Sequence, residues 1–333
     1  MSAAAVFSFR TAAFRSLMLA ALCSATLIST SVRAQGFPNK PVRIVVAFAP
    51  GGGVDVIARL LATKLSEMWG QPVIVDNKSG ASGIIGSNFV AKSAPDGYNV
   101  IISVPNSHTI GPHLLKPPYD ALRDFTPITL IITFPNVLVV GNSVAAKSMA
   151  ELVAMEKAKP GSLNFASSGI GSSQHLAGEM FNLAAGTKAA HVPYKGSAAA
   201  MLDLIAGSVT FSFDTATGTI PHIRSGKLKP LAVTAPKRIA ALPNVPTTAE
   251  AGFPTVEMST WYGLSGPAGM PKPIVDKWND DVVKVLKMPD VRERIEQLAG
   301  DPVGNTPEEF RVYLENEFNK MGKLVKEANV KAD

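Results

Sequence analysis

The stretch VRIVVAFAPGGGVD, residues 42–55, decides the fold. Its apolar, β-branched beginning (42–47) is typical of a buried strand, and its glycine-rich centre (48–53) is typical of a tight turn. Residues 54–69 continue with apolar side chains at helical spacing. At such a turn the first N–H groups of the helix lack intrahelical partners, and the positive end of the helix dipole points the same way. The turn can therefore bind a carboxylate or phosphate without a cationic side chain.

A second turn of this kind, SSGIGSS at residues 167–173, follows the apolar run 163–165 and precedes a helical pattern over 174–185. Two such turns predict a protein that holds a small anion from two sides. The alternation of strand-like and helical segments along the chain predicts open, mostly parallel sheets covered by helices. In such sheets ligands bind at the C-terminal ends of the strands, where both turns lie.

Each turn also has a simpler interpretation. The glycine triplet 51–53 would equally serve a tight turn that lets helix and strand pack closely. Asp55 either complements the helix dipole or contacts a ligand. Ser172 or Ser173 caps the second helix, contacts the ligand, or does both. His175 is a single histidine, for which a hydrogen bond to a neighbouring carbonyl group is the more common role.

Residues 1–34 have the pattern of a secretory signal peptide, with a basic start, a short apolar stretch and small residues up to Ala34, after which we expect cleavage. An N-terminal membrane anchor is the alternative, although the apolar stretch is short for one. Cys23 is the only cysteine, so the mature chain has no disulfide, thiolate metal site or cysteine nucleophile. Three arginines in 1–34 account for half of the net charge of +6, and the remaining scattered charge favours no nucleic-acid or membrane-surface partner.

The sequence predicts no metal, no cofactor and no catalytic residue. None of the five histidines is spaced as His-x-x-x-His, and neither glycine turn has a complete nucleotide-binding motif. The run GASG at 80–83 resembles a nucleophile elbow, but Ile84 replaces its second flanking glycine. Lys195 is a candidate anchor for a carboxylate or an aldehyde, and a solvated loop lysine is the alternative.

A series of motifs extends this interpretation along the chain. They are FxPGGxxD (48–55), APDGY (94–98), PY (118–119) with DFxPI (124–128), SSGxGS (167–172), HVPYKG (191–196) and LPxVPT (242–247). In this order they make the chain resemble the Bug-type (TctC-like) extracytoplasmic solute receptors, the binding components of tripartite tricarboxylate transporters. The resemblance covers essentially all of the mature chain.

The resemblance implies an α/β Venus-flytrap fold, in which two mostly parallel sheets with helices on both faces are joined by crossing strands. Domain 1 would comprise residues 36–138 plus 258–333, and domain 2 residues 139–257. The ligand would be a small carboxylate: a di- or tricarboxylate, an acidic amino acid or an aromatic acid. One carboxylate would bind at 167–173, and the other end would meet 50–53, commonly through ordered water.

By the same resemblance the protein would be a periplasmic monomer, not an enzyme, that delivers its carboxylate to membrane permease subunits. A sensor that presents its ligand to a membrane histidine kinase is one alternative. A periplasmic enzyme using Ser172 or Lys195 is another, but no base–nucleophile constellation accompanies these residues.

The predicted ligand-binding residues are Phe48, Pro50, Gly51, Gly52, Gly53, Asp55, Ser103, Asn106, Ser167, Ser168, Gly169, Gly171, Ser172, Ser173, His175, Tyr194, Gly196 and Asp214. Residues 75–83, 103–107 and 265–269 depart from the usual sequence of the family, which leaves the identity of the ligand open. We expect its specificity to lie with side chains such as Phe48, Asn106, His108, Tyr194 and Asp214.

Overall fold

The computed structural model describes residues 36–327 and 329–331. The signal peptide predicted for residues 1–34 lies outside this part of the chain. A short N-terminal unit ends at Asn39, and a compact unit begins at Lys40. Within the described residues, no helix has the length and apolar character needed to cross a membrane.

Strands and helices alternate through most of the compact unit. The strands are β1 (Val42–Val46), β2 (Val73–Asn77), β3 (Asn99–Ser103), β4 (Phe125–Gly141), β5 (Asn164–Ser167), β6 (Ala190–Pro193), β7 (Phe211–Thr215), β8 (Leu228–Val233), β9 (Ser259–Pro267) and β10 (Asp301–Pro302). The helices are α1 (Gly53–Trp69), α2 (Ile84–Ala91), α3 (Pro105–His108), α4 (Gly111–Leu114), α5 (Met149–Ala158), α6 (Ser173–Ala185), α7 (Ser197–Ala206), α8 (Ala216–Arg224), α9 (Lys272–Leu286), α10 (Pro289–Gln297) and α11 (Pro307–Glu327).

The long strand β4 takes part in two sheets. Its first half, up to Pro135, pairs antiparallel with β9, which also pairs with β3, and β3, β1 and β2 are parallel. Its second half, from Asn136, pairs antiparallel with β7 and β8, and β7, β5 and β6 are parallel. We call the first sheet with α1–α4 and α9–α11 lobe A, and the second sheet with α5–α8 lobe B.

Apolar clusters cover both faces of the lobe B sheet. Leu138 and Val140 pack into a cluster with Phe165, whereas Val137 and Val139 pack into a cluster on the other face. Successive residues of a strand point to opposite faces, so a continuous apolar run is the pattern of a strand buried on both sides. Each fully buried side chain of this size contributes about 1.5–3 kcal/mol. Burial of this kind holds the second half of β4 in place.

Most of the predicted elements are confirmed within a few residues. The capping boxes at Ser148 and Thr306 open α5 and α11, where each hydroxyl accepts a hydrogen bond from the backbone N–H three residues later. Thr247 and Glu250 also form the reciprocal hydrogen bonds of a capping box, a pattern that predicts a short helix. Only turns follow, because Gly252 has a left-handed φ of 92° and Pro254 lies two residues further on.

Candidate functional site

A cavity with about 380 Å³ of empty space, part of it open to solvent, lies where α1 and α6 begin. From lobe A it is lined by Phe48, Ala49, Gly52, Gly53, Val54, Asp55, Val104, Pro105, Asn106, Thr260 and Tyr262. From lobe B it is lined by Ser168, Ser173, Gln174 and Ser197. The cavity therefore lies between the two lobes, and none of the residues lining it is a lysine or an arginine.

Two helix N-termini from opposite lobes meet at this cavity. Helix α1 begins at Gly53 after the N-cap Gly52, which has no side chain to accept a hydrogen bond. Helix α6 begins at Ser173 after the N-cap Ser172, whose hydroxyl accepts from the N–H of His175. The first N–H groups of each helix have no carbonyl partner one turn earlier. Together with the two helix dipoles, these groups favour an anion in the cavity.

Direct hydrogen bonds join the lobes beside the cavity. The side-chain amide of Asn106 donates to the Ser168 hydroxyl across 3.3 Å. The hydroxyl of Thr260 donates to that of Ser173. Both pairs are buried. The structure therefore has its two lobes in contact around the cavity.

Backbone contacts bring the lobes together beyond the cavity as well. The Ala49 N–H donates to the Lys195 carbonyl across 3.3 Å. Gly171 of lobe B approaches Gly111 of lobe A so closely that a Cβ on Gly171 would lie 2.6 Å from the Gly111 Cα. Only glycine at position 171 permits this approach, and its φ of 76° also favours glycine.

Asp55 is the carboxylate at the start of α1, and its charge is compensated. Its oxygens accept hydrogen bonds from Arg59 at 2.8 and 3.0 Å, from Asn77 at 3.0 Å and from the Gly51 N–H at 3.0 Å. Burial raises the pKa of Asp55, but the hydrogen bonds from these groups and the charge of Arg59 outweigh burial, so its pKa is lowered overall. Asp55 thus remains ionised and paired, and it orders the glycine turn through Gly51.

On the lobe B side, the polar lining residues form one hydrogen-bonded network. The Ser168 hydroxyl donates to Gln174 Oε1 at 2.9 Å. Gln174 Nε2 donates to Ser197 Oγ at 3.3 Å and to Asp214 Oδ1 at 3.2 Å. Asp214 Oδ1 also accepts from the Ser197 hydroxyl at 2.9 Å and from the Thr215 N–H at 2.6 Å. Asp214 itself is fully buried behind Gln174 and Ser197.

Two stacked histidines contact the second glycine turn and do not line the cavity. The rings of His175 and His191 lie 3.8 Å apart and are nearly parallel. His191 Nε2 is 2.7 Å from Ser167 Oγ, which also accepts from the Gly169 N–H. The Gly171 N–H donates to His175 Nδ1 at 3.3 Å. Burial, and then the neighbouring His175, lowers the pKa of His191 to about 3, so this ring is neutral at neutral pH.

The predicted site residues thus fall into two groups. Those that line the cavity are Phe48, Gly52, Gly53, Asp55, Asn106, Ser168 and Ser173. Those that do not line it are Pro50, Gly51, Ser103, Ser167, Gly169, Gly171, Ser172, His175, Tyr194, Gly196 and Asp214.

Most of the second group supports the site without facing it. Ser103 is buried and donates to Ser265, while His108 lies 3.3 Å from it. Tyr194 donates to Asp203 at 2.6 Å, away from the cavity. Burial lowers the pKa of His108 to about 3, and this histidine does not line the cavity either.

The sequence analysis did not predict several residues that line the cavity: Ala49, Val54, Val104, Pro105, Gln174, Ser197, Thr260 and Tyr262. The sequence around Ser197 does carry a signal for a site residue. Gly196 lies in a third glycine-containing turn between a strand and a helix, β6 and α7, like the two turns described above. Thr260 and Tyr262 carry no local signal. They are alternate residues of β9, so they share one face of this strand.

In the part of the chain that the structure describes, no group of three or more histidine, cysteine, aspartate or glutamate side chains is placed to hold a metal ion.

The fold and the cleft are those of a two-domain periplasmic binding protein, as similar solved structures show. The sequence model of the family described as "Tripartite tricarboxylate transporter family receptor" (TctC) matches residues 57–330. The chain therefore belongs to this family, whose receptors are periplasmic and bind solutes. This confirms the resemblance, the fold class and the solute-binding role that the sequence predicted.

Individual relatives agree with this assignment. The chain is 36% identical to Protein BugT of Bordetella pertussis over 306 residues, which are 91% of this chain and 94% of that protein. The structure of R. palustris Rpa4515 with adipate has a TM-score of 0.86 at 36% identity, and the match covers 89% of this chain and 99% of that one. The structure of MatC from Rhodopseudomonas palustris with bound malate has a TM-score of 0.83 at 31% identity, covering 87% and 100%.

Proposed function

We propose that this protein captures a small carboxylate between its two domains in the periplasm and delivers it to the membrane permease subunits of a tripartite tricarboxylate transporter. The observation that carries the proposal is the meeting of the α1 and α6 N-termini at one cavity without lysine or arginine in its lining. Backbone N–H groups and helix dipoles are then the source of attraction for an anion. We propose that the receptor acts as a monomer after its signal peptide is removed at Ala34.

The proposed domains are residues 36–138 with 258–333, and residues 139–257. Two observations support these boundaries. Strand β4 changes its partner from β9 to β7 between Pro135 and Asn136, and the chain leaves lobe B shortly before β9 begins at Ser259. Rotation about these two crossings would open and close the cleft.

A dicarboxylate suits the cleft best. Adipate and malate, found in the two related structures, each carry a carboxylate at both ends. We propose that one carboxylate binds at Ser173 and Gln174 of lobe B and the other at Gly53 and Val54 of lobe A. The aromatic rings of Phe48 and Tyr262 would contact the carbon chain between them.

We propose that the protein performs no catalysis. Two serines that line the cavity have no general base as a partner, since Ser168 donates to Gln174 and Ser173 accepts from Thr260. Ser197 donates to the carboxyl group of Asp214, which also accepts from Gln174 and from the Thr215 N–H and so holds the lobe B lining together. No histidine lines the cavity to activate them.

Native mass spectrometry of the purified protein, followed by calorimetry with adipate, malate, citrate, glutamate and benzoate, tests the proposal. We expect a bound acid, and saturable binding of at least one of these compounds. Adipamide, in which both acid groups are neutral amides, is the matched control and should not bind. Binding of adipamide as tight as that of adipate would refute recognition of the anion.

A pair of variants at Ser173 tests the role of the helix N-terminus. Proline is tolerated at the first position of a helix, and the extended backbone of Ser172 (φ −80°, ψ 160°) suits a residue before proline. Ser173→Pro removes both the N–H and the hydroxyl, whereas Ser173→Ala removes the hydroxyl alone. A hydrogen bond to a charged group contributes about 1.5–3 kcal/mol, so Ser173→Pro should bind roughly 10- to 100-fold more weakly than Ser173→Ala. Equal affinities would place the anion elsewhere.

A further inference from the structure

Asp214 is the second carboxyl group next to the cavity, and its environment differs from that of Asp55. It is fully buried, and its described hydrogen bonds all end on one of its two oxygens. Oδ1 accepts from Thr215, Gln174 and Ser197. Within the described part of the chain, Oδ2 is buried and has no hydrogen-bond partner.

Among the residues that the structure describes, no cation compensates Asp214 in the way that Arg59 compensates Asp55. The described ion pairs of the chain do not include Asp214. The titratable groups that interact with it are His222 on α8 and Tyr262 on β9. Burial, and then Lys227, lowers the pKa of His222, and burial raises the pKa of Tyr262, so both groups favour their neutral forms at neutral pH.

The position of Asp214 makes its charge matter for an anion in the cavity. Gln174 and Ser197 line the cavity on one side and hydrogen-bond Asp214 on the other, so a single layer of side chains separates the carboxyl group from the ligand. Two negative charges this close repel each other strongly where water is excluded. Burial raises the pKa of Asp214, and its hydrogen bonds offset that rise only in part.

We propose that capture of the carboxylate is coupled to uptake of one proton, which binds to Oδ2 of Asp214. The inference rests on the proposed function, because it needs an anion in this cleft. The proton neutralises the charge of Asp214, just as Arg59 compensates the charge of Asp55. The ligand is then the one anion of the site whose charge no other group has already compensated. The proton also removes the negative charge from a buried oxygen that accepts no hydrogen bond among the described residues.

Linkage fixes the direction of the pH dependence. The anion binds better to the form with protonated Asp214, so binding raises the pKa of this group and proton and ligand favour each other. Affinity should fall as the pH rises above the pKa of Asp214 in the free protein. It should level off above the higher pKa of the complex. Between these two values the loss approaches tenfold per pH unit.

Calorimetry between pH 6 and 9 tests the inference, with adipate as the probe, or malate if adipate does not bind. Dicarboxylates of this type stay ionised above about pH 6, so the probe itself does not titrate. At each pH the titration is repeated in a zwitterionic sulfonate buffer and in an amine buffer of matching pKa, which differ in their enthalpy of ionisation. We expect the binding enthalpy to differ between the buffers by an amount that corresponds to the uptake of up to one proton per ligand. We also expect the affinity to fall by up to tenfold per unit as the pH rises.

Two variants assign the proton. Asp214→Asn has the shape of the protonated residue, so it should bind without proton uptake, independently of pH, and more tightly than the wild type at pH 9. His222→Asn is the matched control and should keep the uptake. Proton uptake that persists in Asp214→Asn, or a wild-type affinity that is constant from pH 6 to 9 with no buffer effect, would overturn the inference. If Asp214→Asn fails to fold, the pH dependence and the buffer effect of the wild-type protein still test the inference. Failure of every carboxylate to bind would instead overturn the proposed function.

Discussion

Placing a side chain at Gly171 should weaken ligand binding by preventing the lobes from meeting. The Cβ of Gly171→Ala would lie 2.6 Å from the Cα of Gly111, whereas carbon atoms in contact are about 3.5–4.0 Å apart. Lobe B must therefore move away from lobe A by about 1 Å at this point. The hydrogen bond from Asn106 to Ser168, already 3.3 Å long, would then break.

The size of the effect follows from the hydrogen bond that this shift breaks beside the cavity. A hydrogen bond contributes about 0.5–1.5 kcal/mol net, so loss of the Asn106–Ser168 bond destabilises the closed state by about that amount. The affinity for the carboxylate should fall by the same free energy, roughly 2- to 12-fold. The sequence predicts that Gly171 binds the ligand, and in the structure this residue lies where the two lobes touch.

Gly186→Ala is the matched control. Gly186 has a φ of 62°, similar to the 76° of Gly171, but a Cβ at position 186 would have no heavy atom within 4 Å beyond its chain neighbours. Both alanine variants should lose about 1–2 kcal/mol of stability to left-handed backbone strain, but only Gly171→Ala should lose affinity. Thermal melts and calorimetry with adipate or malate measure the two effects. Affinities within twofold of each other would refute the argument that these lobes touch in the ligand-bound state.

Two further predictions concern stability and shape. His108 is fully buried with a pKa of about 3, so below the ordinary histidine pKa the unfolded chain binds a proton that the folded chain excludes. Its contribution should lower the free energy of unfolding by about 1.4 kcal/mol per pH unit as the pH falls from about 6 to 4. Urea unfolding at several pH values measures the slope, and an equally steep slope in His108→Asn would contradict the assignment. Small-angle scattering should show a smaller radius of gyration in saturating adipate or malate, because the ligand favours the closed state. An unchanged radius at saturation would count against closure.

The sequence predicted those parts of the site that local patterns encode. The two glycine turns, and the helices that begin at Gly53 and Ser173, follow from spacing and capping rules within a dozen residues. Gln174 directly follows the second turn, yet its orientation depends on Asp214, which is distant in sequence. Thr260 reaches the cavity only because β9 pairs with β4 and β3, and no local pattern specifies that pairing.

Several of the predicted ligand-binding residues lie outside the lining of the cavity, for a reason that the sequence does not carry. Ser167 and His175 lie in or beside a glycine turn, and the sequence cannot tell which side of the turn a side chain occupies. In the structure Ser167 pairs with His191, and His175 accepts from Gly171, and neither Ser167 nor His175 lines the cavity. Which face a residue takes is decided by tertiary packing, here by the stack of the two imidazole rings.

The pairing of β3 with β9 has a consequence for the order of folding. Ile101 and its neighbours are synthesised early, but the strand that covers their edge, at Ser265, comes much later in the chain. Until then the nascent sheet of β2, β1 and β3 offers unpaired backbone groups to any other extended chain. Lobe B, whose strands all lie between Asn136 and Val233, can complete its sheet first. We therefore expect the edge of β3 to be the main point of misassembly while the exported chain emerges into the periplasm, and the segment that a chaperone must shield longest.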